Sequence, residues 1–255
     1  MNKNWKKPFE NEKDVIETWD LVADDYDYHD YISANDSKAN YEHIFKALSN
    51  KINGKSFLEV GCGSAFMSFK FAEKGAKISL LDISMNVLEK AKVFFNKNKT
   101  QFYNIYCNSA LDIKEKNKKF DVVWNAGVIE HFHEKDQIKM IDEMYRLTKP
   151  GGYFIIQVPN SNCIPYQIWQ YLLKITNKWP YGYQKDISPN KLSYLIKKSN
   201  KKEPFECYSY NPVLGFLLLP GFRKITKLLG FDKLKFHSKK SFFGSVTISI
   251  LKKSF

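Results

Sequence analysis

Residues 56–73 begin Ser-Phe-Leu-Glu-Val-Gly-Cys-Gly-Ser-Ala-Phe-Met-Ser-Phe. A short apolar run, Ser56 to Val60, meets two glycines. An apolar-periodic stretch then runs from Phe66 to Glu73. That order reads strand, tight turn, helix. Gly61 and Gly63 let the backbone turn sharply and approach a ligand without a Cβ clash. One such unit cannot bury its own strand, so the rest of the chain must supply neighbours.

It does so in the same rhythm. Lys77 to Leu81 is a second strand ending at Asp82, and Ser84 caps a helix to about Phe95. Gln101 to Cys107 and Phe120 to Trp124 read as further strands. Asp136 to Leu147 is helical, Lys149-Pro150-Gly151-Gly152 is a strong turn signal, and Tyr153 to Val158 is a fifth strand. Strands alternating with helices predict a mostly parallel sheet with helices on both faces. Two aromatic helical stretches precede this core, Val15 to Tyr31 and Tyr41 to Leu48. Met1 to Asp14 is charged and reads as frayed.

After Pro159 the rhythm breaks. A helix from Tyr166 to Thr176, an aromatic loop with Trp179, Tyr181 and Tyr183, and a Ser188-capped helix, Pro189 to Lys198, come first. Strands at Phe205 to Tyr210 and Phe243 to Leu251 flank an apolar stretch, Val213 to Phe231. The chain therefore divides into an N-terminal helical segment (1–50), a core (51–160), a cap region carrying part of the sheet (161–235) and a C-terminal strand completing the core (236–255).

The net charge of +13 is nearly all lysine, since Arg146 and Arg223 are the two arginines. Nucleic-acid sites favour arginine for bidentate contacts, so no tight nucleic-acid binding is expected. The four cysteines form no CxxC, and the histidines show no ligand spacing, so no metal is assigned. The lysine-rich start is not a signal peptide, and no apolar run is long enough to span a bilayer. The expectation is a reduced, cytoplasmic protein. Membrane-surface contact stays open, as does the oligomeric state.

Neither GxGxxG nor GxxxxGK[ST] is present. Glu59, beside the turn, would repel a phosphate and suits a ligand carrying an ammonium group. Asp82 lies twenty-three residues later, at the end of the second strand. In doubly wound folds an acid at that place accepts from ribose hydroxyls. Its second reading, a helix-start acid beside Ser84, is compatible with the first.

With Glu59-x-Gly61-x-Gly63-x-Ala65, Asp82 in Leu-Leu-Asp-Ile-Ser, Phe120 to Phe132 and Leu147 to Tyr153 in order, the chain resembles the class I S-adenosylmethionine-dependent methyltransferases, small-molecule branch. Trp19-Asp20 with Ala23 and Tyr26 is similar to that family's N-terminal helix, and Ala65 replaces its third glycine. The resemblance implies a Rossmann-like, seven-stranded sheet with an antiparallel last strand. It implies S-adenosylmethionine as methyl donor and S-adenosylhomocysteine as product. Glu59, Gly61, Cys62 and Gly63 would line the methionine moiety, and Asp82 would bind the ribose. Ile83 would pack on the adenine, with Asn108, Ser109 and Ala110 at its edge. Asn125 and Ala126 would sit beside the sulfonium, and Tyr26 would cover the cofactor.

Methyl transfer is an in-line displacement, so the protein's main contribution is alignment, ~7–11 kcal/mol. A hydroxyl or amine acceptor also loses a proton. His131 is the candidate general base, against an equally weighted structural role; Glu130 reads as structural. The expected function is O- or N-methylation of a small molecule. The residues of the aromatic 160–231 stretch are expected to cap the site. An RNA or protein methyltransferase and a non-catalytic cofactor-binding scaffold are the alternatives. The fourth strand lacks the Asn/Asp-Pro-Pro-Tyr used on planar amino groups.

Overall fold

The structure, a computed structural model, describes residues 5–7, 9, 11–24, 35–199, 203–211 and 240–255, with residues 35–39 described as backbone only. Its strands are β1 (Ser56–Val60), β2 (Lys77–Asp82), β3 (Asn104–Cys107), β4 (Phe120–Ala126), β5 (Thr148–Pro159), β6 (Phe205–Tyr210) and β7 (Val246–Lys252). They form one sheet in the order β3-β2-β1-β4-β5-β7-β6. Every pairing is parallel except those of β7, which runs antiparallel to both β5 and β6. The expected seven-stranded, doubly wound sheet is therefore the observed one.

The helices are α1 (Glu12–Asp24), α2 (Asn35–Ala47), α3 (Phe66–Ala72), α4 (Met85–Lys97), α5 (Glu134–Leu147), α6 (Ile164–Ile175) and α7 (Pro189–Lys198), with a 3₁₀ turn at Ile129–His131. Consecutive strand residues feed opposite faces. Phe57, Leu80, Val122, Trp124 and Ile155 join the core with Phe71, Leu88 and Phe95 of α3 and α4. Leu58, Leu81, Val123, Phe154 and Ile156 join the other with Met140 and Met144 of α5 and Leu195 of α7. Both faces are covered, so the strands read as continuous apolar runs rather than alternating ones. Truncating a buried ring such as Phe154 to Ala would cost ~3–5 kcal/mol.

Three local expectations change. Met1 to Asp14 is not all frayed, because α1 starts at Glu12, where the Asn11 side chain accepts the Asp14 N–H at 3.0 Å. That cap starts the helix ahead of the expected Val15, while residues 25–31 of the expected Val15 to Tyr31 stretch lie outside the described residues. Lys149-Pro150-Gly151-Gly152 is not a turn before the strand; it lies inside β5, whose register against β4 shifts between Phe120 and Val122. Gly152 is required there, since a Cβ would lie 2.7 Å from the Asp121 carbonyl oxygen. The helix expected at Tyr166 begins at Ile164, with Pro165 in its first turn.

Candidate cofactor and acceptor site

The site forms at the carboxyl ends of β1, β2 and β4, where open α/β sheets bind ligands. After Val60 the chain turns under β2, because the N–H groups of Gly61 and Cys62 both donate to the Leu81 carbonyl, at 2.8 and 2.9 Å. Gly63 follows with φ +48°, then Ala65 with φ +53°, and α3 begins. The Gly63 N–H donates to Asp82 Oδ2 at 3.2 Å, and the Ser84 N–H donates to Asp82 Oδ1 at 3.1 Å. Ser84 caps α4 by accepting the Val87 N–H at 3.0 Å, and its hydroxyl donates to Asp20 of α1. The helix-start acid and the site acid are thus one residue.

A cavity of about 720 Å³ opens over this loop, within the ordinary range for small-molecule sites. One half is lined by Glu59, Cys62, Gly63, Asp82, Ile83 and Ala126, with Gly61, Ser109 and Ala110 beside them. The other half is walled by Trp19, His131, Tyr166, Trp169, Tyr181 and Gln184. Burial raises Asp82 to about 6 against the bonds from Ser84 and Gly63, which lower it. Burial also pushes Glu59 well above the ordinary carboxylate range. Glu59 Oε2 is buried without a hydrogen-bond partner among the described residues.

In the second half, His131 Nδ1 lies 2.6 Å from the Tyr183 carbonyl oxygen, which can only accept, so Nδ1 carries the proton. Burial lowers His131 to about 4, so the ring is neutral at physiological pH with its lone pair on Nε2. Nε2 is 4.0 Å from Glu130 Oε1, and burial raises Glu130 to about 8. Trp19 meets the imidazole edge-on, ring centres 5.2 Å apart.

Two expected residues do not reach the cavity. Asn125 is fully buried in the body of β4, opposite Ile156, and the cavity begins one residue later at Ala126. Asn108 folds its amide back onto the Cys107 carbonyl at 2.8 Å, while its own N–H ties the end of β2 by donating to the Asp82 carbonyl. Tyr26 and the apolar Phe216 to Leu219 lie outside the described residues. Sequence reasoning missed Phe9, Val15 and Gln157, and assigned no site role to Trp19, Tyr166 or Gln184 individually. Trp19 carried the one available signal, its place in an aromatic helix. Among the described residues, no cluster of three or more His, Cys, Asp or Glu is disposed to hold a metal ion.

Residues 58–156 match the family model of the methyltransferase domain. Ubiquinone biosynthesis O-methyltransferases align along most of the chain. That of Nitrosomonas europaea is 26% identical over 204 residues, 77% of this chain and 84% of the relative. That of Pelagibacter ubique is 28% identical over 210 residues, 78% and 85%. Together these matches support a class I S-adenosylmethionine-dependent methyltransferase. Solved structures agree on the fold. A methyltransferase of Thermotoga maritima superposes with a TM-score of 0.63 at 16% identity, covering 94% of this chain and 100% of its own. Phosphoethanolamine N-methyltransferase 2 of Haemonchus contortus, in complex with S-adenosyl-L-methionine, gives 0.59 at 17%, covering 85% and 52%.

The cavity of this methyltransferase suits its cofactor on charge and hydrogen-bonding grounds. S-adenosylmethionine carries an ammonium and a sulfonium, and the unpartnered Glu59 Oε2 is a buried acceptor for such a cation. Asp82, held in place by two backbone N–H groups, can accept from paired ribose hydroxyls. Ile83 supplies an apolar surface beside it.

Proposed function

We propose that the protein transfers a methyl group to a hydroxyl of an apolar, aromatic small molecule. The observation that carries this reading is the continuity of one cavity from Asp82 and Glu59 to an aromatic wall that includes a neutral histidine. When bound, the cofactor supplies a methyl carbon activated toward in-line displacement. The chain's own residues then align the two reactants. Glu59, Gly63 and Asp82 fix the cofactor half, while Trp19, Trp169 and Tyr181 enclose the acceptor and exclude water.

His131 holds the proton balance. Its Nδ1–H is committed to the Tyr183 carbonyl, so Nε2 can only accept. A hydroxyl oxygen becomes strongly acidic as it gains a methyl group, so a weakly basic imidazole suffices to take its proton. Residues 161–187 form the described part of the cap, since Tyr166 and Trp169 of α6 and Tyr181 of the following loop all face the cavity. The relatives named above act in ubiquinone biosynthesis as O-methyltransferases, which favours oxygen over nitrogen as the accepting atom. Four free cysteines suit a reducing, cytoplasmic setting, and no described helix is long and apolar enough to cross a membrane.

The test is methyl-labelled cofactor incubated with a panel of apolar phenols and amines. Label transferred to phenolic oxygen supports the reading. Label found only on amines, on RNA or on protein sinks it.

A further inference from the structure

Forty lysines and arginines give the chain a net charge of +13. Among the described residues none of them lines the cavity, whereas Glu12, Glu59, Asp82, Glu130 and Asp136 do. Lys174, half-buried behind the aromatic wall, is committed elsewhere. Its ammonium donates to Gln170 Oε1 at 2.9 Å and sits over the rings of Trp5 and Trp179. In the acceptor half no lysine or arginine is present among the described lining residues to offset the desolvation of a negative charge.

Behind the same wall is a carboxylate with an unusual set of partners. Asp186 accepts from Gln167 Nε2 at 2.6 Å, from Gln184 Nε2 at 2.6 Å and from Gln170 Nε2 at 3.3 Å. Gln184 also donates to the Tyr166 hydroxyl at 3.2 Å, so one amide spans the carboxylate and the phenol. Tyr166 and Gln184 line the cavity. The phenol oxygen is occupied as an acceptor, and burial keeps its own proton in place, holding Tyr166 well above its ordinary value. What remains of that hydroxyl is a donor. Across the same cavity, Glu130 Oε2 is buried and has no partner among the described residues.

We infer that Tyr166 positions the acceptor by donating to it, that Asp186 acts through Gln184 to hold Tyr166 in place, and that this wall selects an acceptor entering without negative charge. An acceptor hydroxyl takes the Tyr166 proton on one lone pair and gives its own hydrogen bond to Glu130 or His131 Nε2. A carboxylate or phosphate in the same place would lose its hydration with no lysine or arginine among the described lining residues to match its charge. The inference rests on the acceptor half assigned above.

Two phenols that share a para methylene test it, uncharged 4-ethylphenol and anionic 4-hydroxyphenylacetate. Uncharged 4-hydroxyphenylacetamide, which matches the anion in size and should bind like 4-ethylphenol, is the control. Binding of each to protein loaded with S-adenosylhomocysteine is read by quenching of tryptophan fluorescence. The first should bind at least about tenfold tighter than the anion. Tyr166→Phe should weaken 4-ethylphenol binding about tenfold while leaving S-adenosylhomocysteine affinity unchanged. Asp186→Asn should weaken it too, but add nothing in the Tyr166→Phe background, whereas a merely structural role would add its full effect. Equal or tighter binding of 4-hydroxyphenylacetate overturns the inference. So do binding of neither probe, an unaffected Tyr166→Phe, and full additivity. Failure to bind S-adenosylhomocysteine at all would instead remove the functional reading, and that measurement comes first.

Discussion

Gly63 donates its backbone N–H to Asp82 Oδ2 at 3.2 Å, so the glycine loop after the first strand and the acid ending the second are one hydrogen-bonded unit. Neither half is placed without the other. Removing the carboxyl takes away both the ribose acceptor and the brace of the loop. Asp82→Ala should lower S-adenosylhomocysteine affinity by about one to two decades, since a charge-assisted hydrogen bond contributes roughly 1.5–3 kcal/mol. Calorimetry checks this, and unchanged affinity would leave Asp82 as a helix-start acid alone.

The same carboxyl makes binding depend on pH. Burial raises Asp82 to about 6, and accepting from ribose hydroxyls favours its ionised form. Cofactor affinity should therefore rise as pH rises through 6, by about tenfold between pH 5 and 7, with proton release. Asp82→Asn should flatten that slope. Stability of the ligand-free protein runs the other way. Asp82 and Glu130 have raised folded-state values, about 6 and about 8. Their contribution is full below the ordinary carboxylate range and is lost as pH rises through those values. Thermal unfolding at pH 5, 7 and 9 should show the decline from these groups.

Gly63 has φ +48°, in the left-handed region where a β-branched residue is strained by roughly 1–2 kcal/mol. Gly63→Val should remove detectable cofactor binding while far-ultraviolet circular dichroism still reports a folded sheet. Full binding by the variant would place the cofactor elsewhere.

His131→Ala should reduce kcat by about 10²–10⁴-fold if the ring accepts the acceptor's proton. His131→Gln can still donate to the Tyr183 carbonyl and serves as the structural control. Restored activity in the Gln variant would assign His131 to architecture. With the ring at about 4, wild-type activity should lose nothing to His131 protonation above about pH 5.

Tyr166, Trp169 and Tyr181 line the cavity, where the proposed cap would close it. Backbone amides of residues 164–187 should gain protection from hydrogen exchange when S-adenosylhomocysteine and a phenol are both bound. Protection appearing only as protein concentration rises would assign this wall to self-association.

The core was readable because its signals are local. Ser84 and Ser188 cap α4 and α7 as their side chains suggest, by accepting from Val87 and Lys191. The strand–turn–helix at Val60 to Phe66 needs its glycines wherever it occurs. The acceptor half was not readable, because it joins residues far apart in sequence. Trp19 comes from α1, His131 from the turn after β4, and Tyr166 from α6. No period links them. Asn125 illustrates a different limit. Its motif position was legible, but one residue decides whether a side chain lies in a strand's body or at its open end.

β6 and β7 leave the sheet from one corner. Tyr210 bridges to Lys240, the Ser245 N–H donates to the Asn211 carbonyl at 3.2 Å, and the Asn160 amide fastens both to the start of the cap through the Gly244 carbonyl at 2.7 Å. The chain departs at Asn211 and returns at Lys240 to nearly the same point. Residues 212–239 are thus an insertion whose ends already meet, so a short turn in their place would leave every strand pairing intact. Such a junction makes the protein modular.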